Sequence, residues 1–167
     1  MAISFDDATL KRLGKAFTFG SERTNEQDAE FGLIVLSETA SKALSPGIND
    51  TGTAIEALLI LKALLWNFAQ EEEDDERPCA PNVIASFAGP SDFVEAALAP
   101  IARDGAGSIE VGMRLRQSLS ALSASENAEL AAAARDLAEQ AIAYATEAGM
   151  PERDLARLQA ISLAHPE

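Results

Sequence analysis

Histidine, cysteine, tryptophan and tyrosine each occur once in the 167 residues. Cations are scarce too: 13 Lys and Arg stand against 27 Asp and Glu, a net charge of −14. One cysteine excludes an internal disulfide framework. Cys79 and His165 together fall short of a zinc site built from nitrogen and sulfur ligands. A pI near 4.4 excludes a surface shaped to neutralise phosphates or anionic lipid, so no nucleic-acid partner is expected. No basic segment precedes a long apolar core at the N-terminus, and none is expected to act as a secretory signal. The most apolar stretch, Ala54 to Ala69, is interrupted by Glu56, Lys62 and Asn67 and falls short of the roughly 20 residues a membrane span needs. The chain as given is therefore expected to be soluble and cytoplasmic.

Catalytic patterns are missing as well. There is no Walker or GxGxxG sequence to cradle a phosphate, and no E-x-x-H element of the ferritin-like kind. His165 sits at the C-terminal end, where chains fray. Cys79 stands between two prolines beside the acidic run Glu71 to Glu76, which does not favour a reactive thiolate. That run suits a solvated linker better than a converging cation site. No catalytic residue, metal or cofactor is expected.

Apolar side chains are plentiful, 47% of the chain, too many for a disordered polymer and enough for one domain. Their spacing is helical. A short helix is read over Asp6 to Phe19 and a second over Asn25 to Leu44. The second carries Phe31, Ile34 and Val35 on one stripe and Leu33, Leu36, Ala40, Ala43 and Leu44 on another. Two stripes predict packing on both sides. The turn Ser45-Pro46-Gly47-Ile48-Asn49-Asp50 follows, with Gly47 free to take positive φ and Asn49 and Asp50 suited to capping. A third helix, about Thr53 to Gln70, opens with a Thr53–Glu56 capping box and is apolar almost all round, which places it centrally. Residues 71–90 read as an acidic, Pro-containing linker, with a β-like stretch at 82–87 taken as loop. A fourth helix is capped by Ser91 or Asp92 and weakened by Pro100. A fifth spans Ser108 to Leu122, and a sixth about Glu126 to Ala148, entered through a Ser123–Glu126 box. The sixth repeats Leu130, Ala134, Leu137, Ala141, Tyr144 and Ala148 at a 3.5-residue period, a surface for a neighbour or a second copy. Gly149 and Pro151 stop it, and a seventh helix covers Pro151 to Leu163. The fold class is all-α: a single-domain bundle of six to seven helices, two central apolar ones joined by the SPGIND turn.

One stretch carries a resemblance. Arg23-Thr24, Asp28, Phe31-Gly32-Leu33, then Ala43-Leu44-Ser45-Pro46-Gly47-Ile48-Asn49-Asp50 and Thr53-Ala54 resemble the best-kept part of the DUF2254 family. Its members are bacterial predicted membrane proteins of unknown function. The resemblance implies transmembrane helices ahead of this region, so that the membrane is reached only through a missing N-terminal part and full-length relatives lie in the bacterial inner membrane. Thr51 stands where the family usually has Pro. Lys42 stands where Arg is common, keeping the charge and losing the bidentate fork.

The key positions so implied are Arg23, Asp28, Ser45, Asn49, Asp50 and Thr53, to which the lone Lys62 of the apolar third helix is added. Two readings of them differ. In one they cap helices and pair locally, with Arg23 reaching Asp28 or Asp50, Glu38 pairing with Lys42, and Lys62 snorkelling to water. In the other Lys62 meets Glu38, Asp28 or Asp50 inside the bundle, and the set lines a small polar pocket for a ligand or ion. The preferred expectation is a non-catalytic helical domain acting in interaction, oligomerisation or sensing, with a homo-oligomer as partner. A binding domain or enzyme around the SPGIND turn is the alternative.

Overall fold

The computed structural model describes residues 6–16, 28–70 and 88–164. They form seven helices, with no strand among the described residues: α1 (Asp7–Ala16), α2 (Ala29–Leu44), α3 (Thr51–Gln70), α4 (Pro90–Asp104), α5 (Ile109–Leu122), α6 (Ala128–Glu147) and α7 (Glu152–Gln159). Arg23, the acidic run at 71–76, Cys79, the β-like stretch at 82–87 and His165 lie outside the described residues.

Several helices start where a side chain can meet their free N–H groups. Asp28 Oδ1 accepts from Phe31 N–H at 2.9 Å, Ser108 Oγ from Val111 N–H at 3.3 Å, and Asn127 Oδ1 from Leu130 N–H at 3.0 Å. The expected Ser123–Glu126 box is replaced by that Asn127 cap. At α4 neither Ser91 nor Asp92 is the cap residue. The helix opens at Pro90, the first-turn position proline suits, and Asp92 Oδ2 reaches back to Gly89 N–H at 2.8 Å. Ser91 instead ties α4 to α6, its Oγ donating to Glu129 Oε1 at 2.9 Å. Pro100 does not break α4, which continues to Asp104.

Helices α2, α3, α5, α6 and α4 close a ring in that order, and α3 also touches α4 across it. Leu58, Leu61 and Leu65 of α3 meet Leu98 and Ile101 of α4 and Leu119 of α5 in one buried cluster. Helix α7 packs on α5 and α6 through Leu158, Met150 and Ala145. Helix α1 packs extensively against none of the others.

Three expectations need correction. First, α2 is buried along Leu33, Ala40 and Ala43, while on the other stripe Phe31 and Ile34 are half-buried and Val35 is 38% exposed; the second stripe is less buried than the first. Second, α3 touches three neighbours as a central helix should, yet its outer face is apolar and open: Leu59 is 43%, Ile60 51%, Leu64 44% and Phe68 37% exposed. It also begins two residues earlier than expected, and its 20 residues make it long and apolar enough to cross a membrane by length and composition. Third, the 3.5-residue row of α6 is not a free surface. Leu130, Ala134 and Leu137 are buried against the core, with Ala141 and Tyr144 packed on it, since α6 runs between α4 and α5.

Candidate functional site

The α2–α3 turn is held by short local hydrogen bonds. Ser45 donates twice to Lys42 O, from its N–H at 3.2 Å and its Oγ at 2.7 Å. Ile48 N–H and Asn49 N–H both donate to Ser45 O, at 3.0 and 2.9 Å, and Asp50 N–H reaches back to Ala43 O at 2.8 Å. The left-handed residue is Asn49, at φ 49°, and not Gly47. Asparagine is the side chain that tolerates this conformation best after glycine.

Asp50 then caps α3. Its Oδ1 accepts from Thr53 N–H at 3.1 Å, and its Oδ2 accepts from Thr53 Oγ1 at 2.6 Å. The Thr53 hydroxyl first, and its N–H second, hold the Asp50 carboxyl below the ordinary aspartate range. Because the helix starts at Thr51, Thr53 lies inside it, and the expected Thr53–Glu56 box is not what caps it.

The six implicated residues that are described do not converge. Ser45, Asn49, Asp50 and Thr53 share the turn. Asp28 sits at the far end of the 16-residue helix α2, about 24 Å away along the axis, and Arg23 lies outside the described residues. Lys62 stands about three turns into α3, remote from the cap. No Glu38–Lys42 ion pair forms, and no ion pair joins Lys62 to Glu38, Asp28 or Asp50.

Lys62 does line a small polar cavity, though not the expected one. Its neighbours there are Leu59, Arg114, Gln117, Ser118 and Ala121, around about 120 Å³. Arg114, Gln117 and Ser118 were not singled out by the sequence. Their spacing on one helix carries a faint signal, but only the pairing of α3 with α5 brings them to Lys62. A second, apolar cavity of about 510 Å³ lies between α2 and α3, walled by Gly32, Val35, Leu36, Leu64, Phe68 and Phe93. Phe68 and Phe93 meet edge to face there, ring centroids 4.7 Å apart.

Among the described residues, no group of three or more His, Cys, Asp or Glu could hold a metal ion. Among the described residues, the buried Ser37 Oγ and Arg116 Nε have no hydrogen-bond partner, while, against the upward push of burial, Arg103 and Ser41 help to hold the Asp104 carboxyl below its ordinary range. Ser37 and Arg116 lie on α2 and α5, apart from the turn. Burial pushes the Arg116 guanidinium down in pKa against the pull of Glu139, while its Nη1 donates to Ala138 O at 2.8 Å and so ties α5 to α6.

No curated protein and no solved structure matches the chain. The family model described as a predicted membrane protein, DUF2254, matches residues 2–121, a span that holds α1 to α4, all but the last residue of α5, the SPGIND turn and the Lys62 cavity. With well over half of its 167 residues so matched, the chain belongs to the DUF2254 family of predicted membrane proteins.

Proposed function

We propose that this chain is a non-catalytic helical domain of a membrane-protein family, and that it works by self-association through the outer face of α3. The carrying observation is the open apolar stripe of Leu59, Ile60, Leu64 and Phe68, continued by Val35 on α2. A contiguous apolar patch of this kind marks an interaction surface more often than idle exposure. A second copy suits it because the stripe is self-complementary. Ile60, Leu64 and Phe68 recur every four residues, spanning about 12 Å. Antiparallel pairing about a two-fold axis sets Leu64 on the axis and each Ile60 against the partner's Phe68, ridge into groove.

The ligand-site alternative at the turn has less support. Ser45, Asp50 and Thr53 spend their polar groups on one another and on nearby backbone, leaving few convergent donors or acceptors for a substrate. A cytoplasmic position for this domain, beside a membrane-bound remainder, fits its charge of −14 and belongs to the same proposal.

Size-exclusion chromatography with light scattering tests it. A dimer of about 35 kDa, twice 17.6 kDa, is expected, and Leu64→Glu should return it to a monomer with little change in thermal midpoint, because residue 64 is already exposed. Raising salt should strengthen the dimer by screening the repulsion between two strongly acidic copies. A monomer at all concentrations and salts overturns the reading, as does co-flotation with neutral vesicles that Leu64→Glu abolishes, since that assigns the stripe to a bilayer.

A further inference from the structure

In a protein with twice as many acids as bases, cations are normally drawn to carboxylates. Arg103 holds Asp104 at 2.9 Å, and Arg153 and Arg157 share Asp154 at 3.6 and 3.2 Å. Most of the described cations make no ion pair, and among these Lys62 and Arg114 share one cleft. They come from different helices, α3 and α5, to line one cavity of about 120 Å³, and no acidic residue lines it with them. Neither makes an ion pair.

The polar inventory of the cavity is one-sided. Lys62 brings three N–H donors, and Arg114 brings five, one of them spent on Gln117 Oε1 at 3.2 Å. That bond occupies the acceptor oxygen of Gln117 and leaves its NH2 as a donor. The Ser118 hydroxyl can donate too. Leu59 and Ala121 form apolar walls. The cleft is open to solvent and offers about 120 Å³, room for one compact charged group. The adjoining cavity of about 480 Å³ shares Arg114 and Gln117, but it contains Glu110 and the already paired Arg157, so the free positive charge concentrates at the Lys62 end.

We infer that this cleft binds a small oxyanion, a carboxylate or phosphate group, between the Lys62 ammonium and the Arg114 guanidinium. Two donors of like charge that line one cleft from separate helices gain from an anion between them, which offsets their mutual repulsion while taking charge-assisted hydrogen bonds from both. Gln117 orients the guanidinium. The cleft shares Leu59 with the stripe proposed above for the dimer, but its charged groups, Lys62 and Arg114, lie outside that stripe.

The test is a titration of the full chain, followed by amide chemical shifts, with inorganic phosphate in one arm, acetate in another and chloride at matched ionic strength as control. Saturable shifts confined to amides near residues 59–62 of α3 and 114–121 of α5 are expected, and the arm that saturates first identifies the preferred group. Lys62→Gln and Arg114→Gln should each weaken binding by about tenfold, and Lys62→Arg should retain it. Arg114 is exposed, so Arg114→Gln carries the test if Lys62→Gln does not fold. Absence of saturation with either anion overturns the proposal, and so does a response equal to that of chloride or one unchanged in Arg114→Gln.

Discussion

At the scale of single residues, two positions show how backbone needs decide identity. Gly105 ends α4 at φ −91°, which any residue adopts, so conformational freedom is not its reason. A Cβ there would lie 2.5 Å from Val111 Cγ1 and 2.8 Å from Ile101 O, and one of those is backbone that cannot yield. Gly105→Ala should therefore destabilise by about 1–3 kcal/mol, read as a shift in the denaturant midpoint. Asp50 offers a pH signature. Its carboxyl is held below its ordinary value by the Thr53 hydroxyl and N–H, so its folded pKa lies under the unfolded one. Its contribution is complete above about pH 4, the unfolded aspartate value, and is lost as pH falls through the lower folded value. Asp50→Asn should show its deficit against wild type in thermal midpoint above pH 4, with the two curves drawing together as acid is added.

Among the elements, helix ends were legible wherever one side chain had an unrivalled role. Gly149 after α6 is such a case. It takes φ 76°, and Met150 N–H and Gly149 N–H donate back to Ala145 O and Thr146 O, both at 3.0 Å. That is the Schellman pattern, with Met150 and Ala145 also in apolar contact. Ser108 fell at the expected start of α5, whereas Asp28, inside the expected span Asn25 to Leu44, was not read as a cap. Where two cap residues competed, as Ser123 did with Asn127 or Thr53 with Asp50, spacing alone did not decide, because the winner depends on where the preceding loop delivers the chain. Apolar periodicity predicted two packed sides for α2, a central place for α3 and a packing row on α6, but not how much of each apolar face the neighbours would cover. The row on α6 is core because α4 and α5 flank it, and the open stripe on α3 exists because its three neighbours crowd one side. Lys62 was recognised as an anomaly on an apolar helix. Its meeting with Arg114 is a tertiary fact without a local signal.

For the molecule as a whole, the all-α class followed from composition and period, while the ring order α2–α3–α5–α6–α4 could not, since several orders satisfy the same amphipathic faces. That ring bears on where the protein can be divided. The family match ends at residue 121, at the close of α5, yet α6 fills the gap between α4 and α5 and contributes Leu130, Ala134 and Leu137 to the common core. The matched span is thus shorter than the set of helices that share the core. A chain cut after residue 121 should lose cooperative melting and bind hydrophobic dye, whereas one ending after α7 should melt in a single transition. Adding α6 and α7 back as a separate peptide should restore the transition, making the tail a detachable stave of the barrel rather than an appendage.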